Sequence, residues 1–191
     1  MKRTILKLLN FPERLHNAFI LRYRKVACGR NLRIRGKLAV YGQGMIRIGD
    51  SVRINSKEAA NPIGGMTKCI LNAAKDAQLT IGDRSGLSNC AIVCREQITI
   101  GSDVLIGGNT VIYDTDFHSL DANVRARTGG GTREAVCKPV RIDDGVFIGA
   151  HCIILKGVHI GKNAVIGAGS VVTKNVGESE VWAGNPAKRI R

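Results

Sequence analysis

From Ile142 onward one aliphatic residue recurs at every sixth position: Ile142, Ile148, Ile154, Ile160, Ile166 and Val172. A smaller residue follows each by four places, at Val146, Cys152, Val158, Ala164, Ser170 and Val176, and glycine follows directly at Gly149, Gly161 and Gly167. A helix repeats its apolar positions about every 3.6 residues and a strand every 2, so neither produces an unbroken six. A short internal period of this kind overrides local propensity. It fits a coil of three short strands per turn, each sending one aliphatic side chain inward. The expected fold is all-β, a parallel β-helix.

The same register extends backwards. It is present at Ile100, Ile106 and Ile112, with Val104 and Thr110 four places on, and at Ile81, Leu87 and Val93, with Ser85 and Ala91. A weaker start lies at Ile48 and Ile54. One extra residue separates Val93 from Ile100, about three fall between Ile54 and Ile63, and the widest gap lies between Ile112 and Ile142. Residues 117–137 are predicted to leave the coil as a projecting loop, with Gly129, Gly130 and Gly131 inside it. A long loop in a regular solenoid is usually functional.

Residues 31–191 are expected to form the coil and residues 1–30 a basic helical segment. The net charge of +14 is uneven: residues 1–37 hold eleven Lys/Arg against Glu13 alone, while residues 38–191 hold eighteen against fourteen acids. Such a balance suits an anionic membrane surface or ligand. A nucleic-acid partner is not expected, because the chain has neither zinc-finger spacing nor an aromatic-basic recognition motif.

Pro12 at a first helical position, Glu13 in the first turn and Gly29 beyond the end outline a helix. Its apolar face is read as Leu15, Ala18, Phe19 and Arg22. That helix either caps the open end of the coil or lies on an anionic membrane, the cap being preferred. Between Met1 and Leu9, Lys7 and then Pro12 interrupt any apolar core, which argues against a signal peptide. Six cysteines without a CxxC pair read as reduced structural thiols.

Chemistry is sought where the repeat breaks. His118 falls six places after Ile112, where an inward aliphatic belongs, and it follows Asp114 and Asp116. It is predicted to turn outward at the loop base as a general base, oriented by a carboxylate, with Asp116 the preferred partner. No other histidine accompanies it, so no metal site is expected. At the C-terminus, small residues around Ala168 either admit a ligand to the backbone or merely fit tight corners. Lys174, Lys188 and Arg191 either meet phosphates or form a solvated tail.

The stretches VFIGAHCIILKGVHIGKNAVIGAGSVVTKNV and AGNPAKRIR resemble the hexapeptide-repeat acyltransferases, in particular the maltose, galactoside and exopolysaccharide O-acetyltransferase group. That resemblance implies a left-handed coil, which parallel-crossover physics alone would not suggest. It also implies a homotrimer with active sites between neighbouring coils, and acetyl-CoA as co-substrate. It makes His118 the catalytic histidine, Ala150, Ala168, Thr173 and Lys174 coenzyme A contacts, and Lys188 and Arg191 the groups near its phosphates. Many members carry Trp where this chain has Phe147. Asn89, Arg95 and the loop are the candidates for the acceptor. The expected activity is acetyl transfer to a sugar hydroxyl in cytoplasmic assembly of surface polysaccharide or lipopolysaccharide, at the inner membrane face. A free-sugar or antibiotic acetyltransferase and a non-catalytic scaffold are the alternatives.

Overall fold

The computed structural model describes residues 11–65 and 68–191; the stretch Met1–Leu9 lies outside the described residues. The chain winds through three parallel sheets that form the faces of a triangular prism. Face A runs from Ala27–Cys28 through Met45–Ile48, Gln78–Ile81, Gln97–Ile100 and Val140–Ile142 to His159–Ile160. Face B begins at Arg33–Gly36 and ends in the antiparallel hairpin of Val181–Gly184 with Ala187–Arg189. Face C runs from Ala39–Gly42 to Val171–Val172. Three parallel sheets linked turn by turn in this way make the fold a parallel β-helix, as the six-residue period predicts.

Identical positions of successive turns stack. Ile48, Ile81, Ile100, Ile142 and Ile160 form one inward column, and Val40, Leu71, Ile92, Ile112, Ile154 and Val172 another. All are at most 2% exposed. Full burial of one such side chain contributes about 1.5–3 kcal/mol, so each strand can be only two to four residues long and still be held.

The corner between faces A and B explains the glycine that follows the aliphatic residue. Asp50 accepts the Arg30 amide at 2.7 Å, Asp83 the Asp50 amide at 2.7 Å, and Asp144 the Ser102 amide at 2.7 Å. Each carboxylate lies directly under the corner of the preceding turn. A Cβ on Gly49 would run into the Asp83 carboxylate.

Two register expectations shift. Ile92 rather than Val93 points inward, and Cys90 rather than Ala91 is the fully buried corner residue, because the chain takes one residue fewer between Leu87 and face C. Ile63 does not resume the core; it is 45% exposed, and the coil resumes with Cys69 and Leu71, both fully buried. Residues 57–65 thus belong to a second excursion, at the corner between faces B and C. A single apolar residue in the right phase could not reveal it.

The N-terminal helix, α1 (Phe11–Tyr23), lies across the first turn of the coil. Its buried residue is polar. The Asn17 amide donates to Gly36 O at 2.8 Å and accepts from Leu38 N at 2.9 Å, satisfying strand ends that no earlier turn covers. Glu13 accepts from Gly36 N at 3.0 Å, and Arg24 donates to Gly42 O at 3.0 Å. The expected face of Leu15, Ala18, Phe19 and Arg22 is therefore not the packing face; all four are exposed. Unpaired backbone groups at the coil end demanded polar partners, and an apolar face could not supply them. All six cysteines are free thiols, five of them fully or partly buried.

Candidate active site

The chain leaves face C after Tyr113 and returns to face A at Val140. The two ends of this excursion run antiparallel: Thr115 pairs with Cys137, Asp116 N donates to Val136 O, and Lys138 N donates to Asp114 O. Beyond that stem a short helix, α2 (Ala122–Thr128), is capped by Asp121, whose side chain accepts from Asn123 N at 2.8 Å. This helix carries no apolar repeat, so the loop read as irregular. Gly129 ends it in the left-handed conformation, at φ 65°.

His118 sits at the top of this stem and is exposed. Its Nδ1 lies 3.0 Å from the Gly130 carbonyl oxygen. A carbonyl can only accept, so Nδ1 carries the hydrogen, and the Nε2 lone pair is left free as a base. Gly130 is held at φ 123°, and a Cβ there would come within 3.1 Å of Nδ1. The Gly130 amide donates to Arg125 O at 2.9 Å, which ties its carbonyl to the end of α2. The three successive glycines were the signal for this contact, although nothing in their spacing named its partner.

Neither carboxylate touches the imidazole. Asp116 instead pairs with Lys156 at 2.7 Å, one turn further along the same corner; its backbone carbonyl, not its side chain, accepts the His118 amide at 2.8 Å. Asp114 is fully buried and accepts from Arg95 N at 2.7 Å, from Glu96 N at 2.8 Å and from the Cys94 thiol at 3.4 Å. Burial first, and the Asp114 charge second, push that thiol up to about 12. Arg95 thus stands at the corner beneath the stem with its side chain exposed.

The remaining candidates divide between two corners. Thr173 and Lys174 are exposed on the His118 side, between faces C and A. Ala150 and Ala168 stack on the opposite edge of face C, where Gly169 N donates to Ala150 O at 2.8 Å. Asn89 occupies that second corner but is buried, donating to Asn61 O in the second excursion at 3.4 Å. Its placement there follows from the excursion that the sequence did not reveal. Lys188 and Arg191 are exposed on the terminal hairpin. Phe147 projects from face B between Leu105 and Val165, 47% exposed. Among the described residues no three His, Cys, Asp or Glu side chains converge as metal ligands do.

The model of the hexapeptide repeat of succinyl-transferase matches residues 97–113 and 139–174. Galactoside O-acetyltransferase of Escherichia coli K12 is 41% identical over 103 residues, 54% of this chain and 48% of that enzyme. The chain spans about half the length of the curated relatives it matches. Among solved structures, the hexapeptide-repeat acetyltransferase of Vibrio cholerae in complex with acetyl coenzyme A superposes with a TM-score of 0.55 at 28% identity, covering 91% of this chain and 74% of that one. A polySia-specific acetyltransferase gives 0.62 at 26% identity, covering 87% and 81%. By its repeat, its sheets and these likenesses, the chain has the left-handed parallel β-helix fold of the solved hexapeptide-repeat acetyltransferases and resembles such enzymes in sequence over about half its length.

Proposed function

We propose that this protein transfers the acetyl group of acetyl-CoA to a sugar hydroxyl, with His118 as the general base. The observation that carries the reading is the Nδ1 contact with the Gly130 carbonyl, which leaves Nε2 unpaired on an exposed ring. Nε2 takes the proton of the acceptor hydroxyl as its oxygen attacks the thioester carbon. The tetrahedral intermediate then expels the coenzyme A thiolate, which recovers that proton from the imidazolium. Proton transfer of this kind contributes roughly 10²–10⁴-fold, and positioning of the two substrates supplies much of the rest.

Ala150 and Ala168 offer a flat, small-residue backbone to a pantetheine arm, and Thr173, Lys174, Lys188 and Arg191 offer donors and charge to its far end. Ala150 and Ala168 lie on the edge of face C opposite to that of His118, Thr173 and Lys174, which favours a site completed between two coils. The outward side of face C carries Ala91, Val93, Val111, Tyr113, Ile153 and Val171, whereas face A shows Gln78, Thr80, Gln97, Thr99 and Arg141. An apolar face beside polar ones suits burial against a neighbouring copy, and a closed cyclic trimer uses such a heterologous contact. The names of two relatives, a galactoside and a polySia-specific acetyltransferase, support a glycan acceptor, with Arg95 and the loop of residues 119–135 as the candidate contacts to it. Acetyl-CoA supply puts the reaction in the cytoplasm, during assembly of a surface polysaccharide or lipopolysaccharide.

The test is thiol release from acetyl-CoA against a panel of sugars and nucleotide sugars. His118→Ala should retain coenzyme A binding by calorimetry and lose about 10²-fold or more in turnover. Turnover within roughly tenfold of the parent would remove His118 from the role of base.

A further inference from the structure

The outward face of α1 has no function in the reading above. Phe11, Leu15, Phe19 and Tyr23 follow one another at four-residue intervals along it, and they are 57%, 55%, 67% and 65% exposed. Phe19 and Tyr23 stack with their centroids 5.8 Å apart, and the Arg24 guanidinium lies 5.3 Å from the centre of the Tyr23 ring. The opposite face is pinned to the coil through Glu13, Asn17 and Arg24. The stripe is therefore presented on a fixed support. Isolated exposed apolar residues are ordinary, whereas a contiguous stripe of three aromatics and a leucine marks a surface that something covers.

Charge selects the occupant. Arg14, Arg22 and Lys25 are exposed around the stripe, and residues 1–37 hold eleven basic residues against one acid. We infer that α1 docks in the plane of an anionic phospholipid surface, its aromatic stripe entering the acyl boundary while the flanking cations meet lipid phosphates. Aromatic and leucine side chains backed by Lys/Arg are the composition of interfacial helices, and each juxtamembrane cation gains from a negative leaflet. A second copy of the chain fits less well, since residues 38–191 themselves carry eighteen basic against fourteen acidic side chains and offer no matching negative charge. A nucleic-acid backbone would satisfy the cations but give the stripe nothing apolar to enter. Among the described residues no helix is long and apolar enough to cross a membrane, so the association is peripheral. Such docking would hold the coil where lipid-linked glycans are assembled, yet it stands independently of the acyl-transfer reading.

The experiment is flotation of the full chain with phosphatidylcholine vesicles, with and without added phosphatidylglycerol. The protein should float with the anionic vesicles, far less with the neutral ones, and less again as salt is raised and the charges are screened. Phe19→Asp and Leu15→Asp should each reduce flotation by roughly tenfold or more. Both should leave thermal stability, oligomeric mass and thiol release unchanged, because neither side chain packs on the coil. Absence of flotation by the parent would overturn the proposal, as would parent-like flotation of both variants. A variant that changed oligomeric mass without affecting vesicle binding would reassign the face to contact between copies. Thiol release is scored separately, so a protein inactive on every acceptor but still floating would refute the proposed function alone.

Discussion

Replacing Asp114 separates a structural carboxylate from a catalytic one. It lies four residues before His118, which made it a candidate neighbour of the imidazole, yet its oxygens hold the Arg95 and Glu96 amides at 2.7 and 2.8 Å inside a fully buried site. Hydrogen bonds to a charged partner contribute about 1.5–3 kcal/mol each. Arg95 and Glu96 are exposed residues, so water can reach their freed amides, and removing a buried charge recovers some desolvation. The net cost of Asp114→Ala should therefore be about 3 kcal/mol rather than the full sum. In a chain of this size that lowers the melting temperature by roughly 6–12 °C. Asp114→Asn keeps an acceptor for one amide and turns its NH₂ toward the other, so it should fall between parent and alanine. Melting followed by far-ultraviolet circular dichroism reads the stability. Thiol release per folded molecule, measured well below the melting temperature, reads the chemistry and should stay within about tenfold of the parent. Should Asp114→Asn melt like the parent while losing turnover as severely as His118→Ala, the assignment of Asp114 to the corner would be refuted and a catalytic partnership restored.

Gly130→Ala should reduce turnover by about tenfold or more while sparing coenzyme A affinity, because φ 123° costs an L-residue about 1–3 kcal/mol and relaxation moves the carbonyl away from Nδ1; steady-state kinetics with calorimetry check it. Asn17→Ala should cost about 1–3 kcal/mol by leaving Gly36 O and Leu38 N without their shared partner, measurable by urea unfolding. Cys94 keeps its proton in the folded state until about 12, against an ordinary value of 9.0. The unfolded thiol ionises first as pH rises, so the folded state loses stability above about pH 9, at up to about 1.4 kcal/mol per pH unit. Urea unfolding from about pH 8 to about 10.5 should show a steeper decline for the parent than for Cys94→Ala, and equal slopes would contradict the assignment.

The proposed general base was legible as a candidate because histidine interrupted a column of aliphatics: the inward place after Ile112 could not hold a polar ring. Its orienting partner was not legible. Asp116 was the obvious neighbour in sequence, but a carboxylate one turn away from Lys156 finds a full charge there. The imidazole is left to a carbonyl twelve residues downstream, and only the path of α2 and the three glycines brings that carbonyl back. Asn89 differs for a similar reason, since the excursion around Asn61 packs against it.

By itself, the six-residue period determined the coil, its inward columns and the place where the long loop leaves. These follow from a local rule: each short strand buries one aliphatic residue and each corner must be small or acidic. Three things were decided only in tertiary structure: which face of α1 packs, where the chain skips a residue before Ile92, and which acceptor holds His118. The first and third depend on which backbone groups a distant segment presents, and the second on a corner one residue shorter; a linear pattern of side chains carries no record of either.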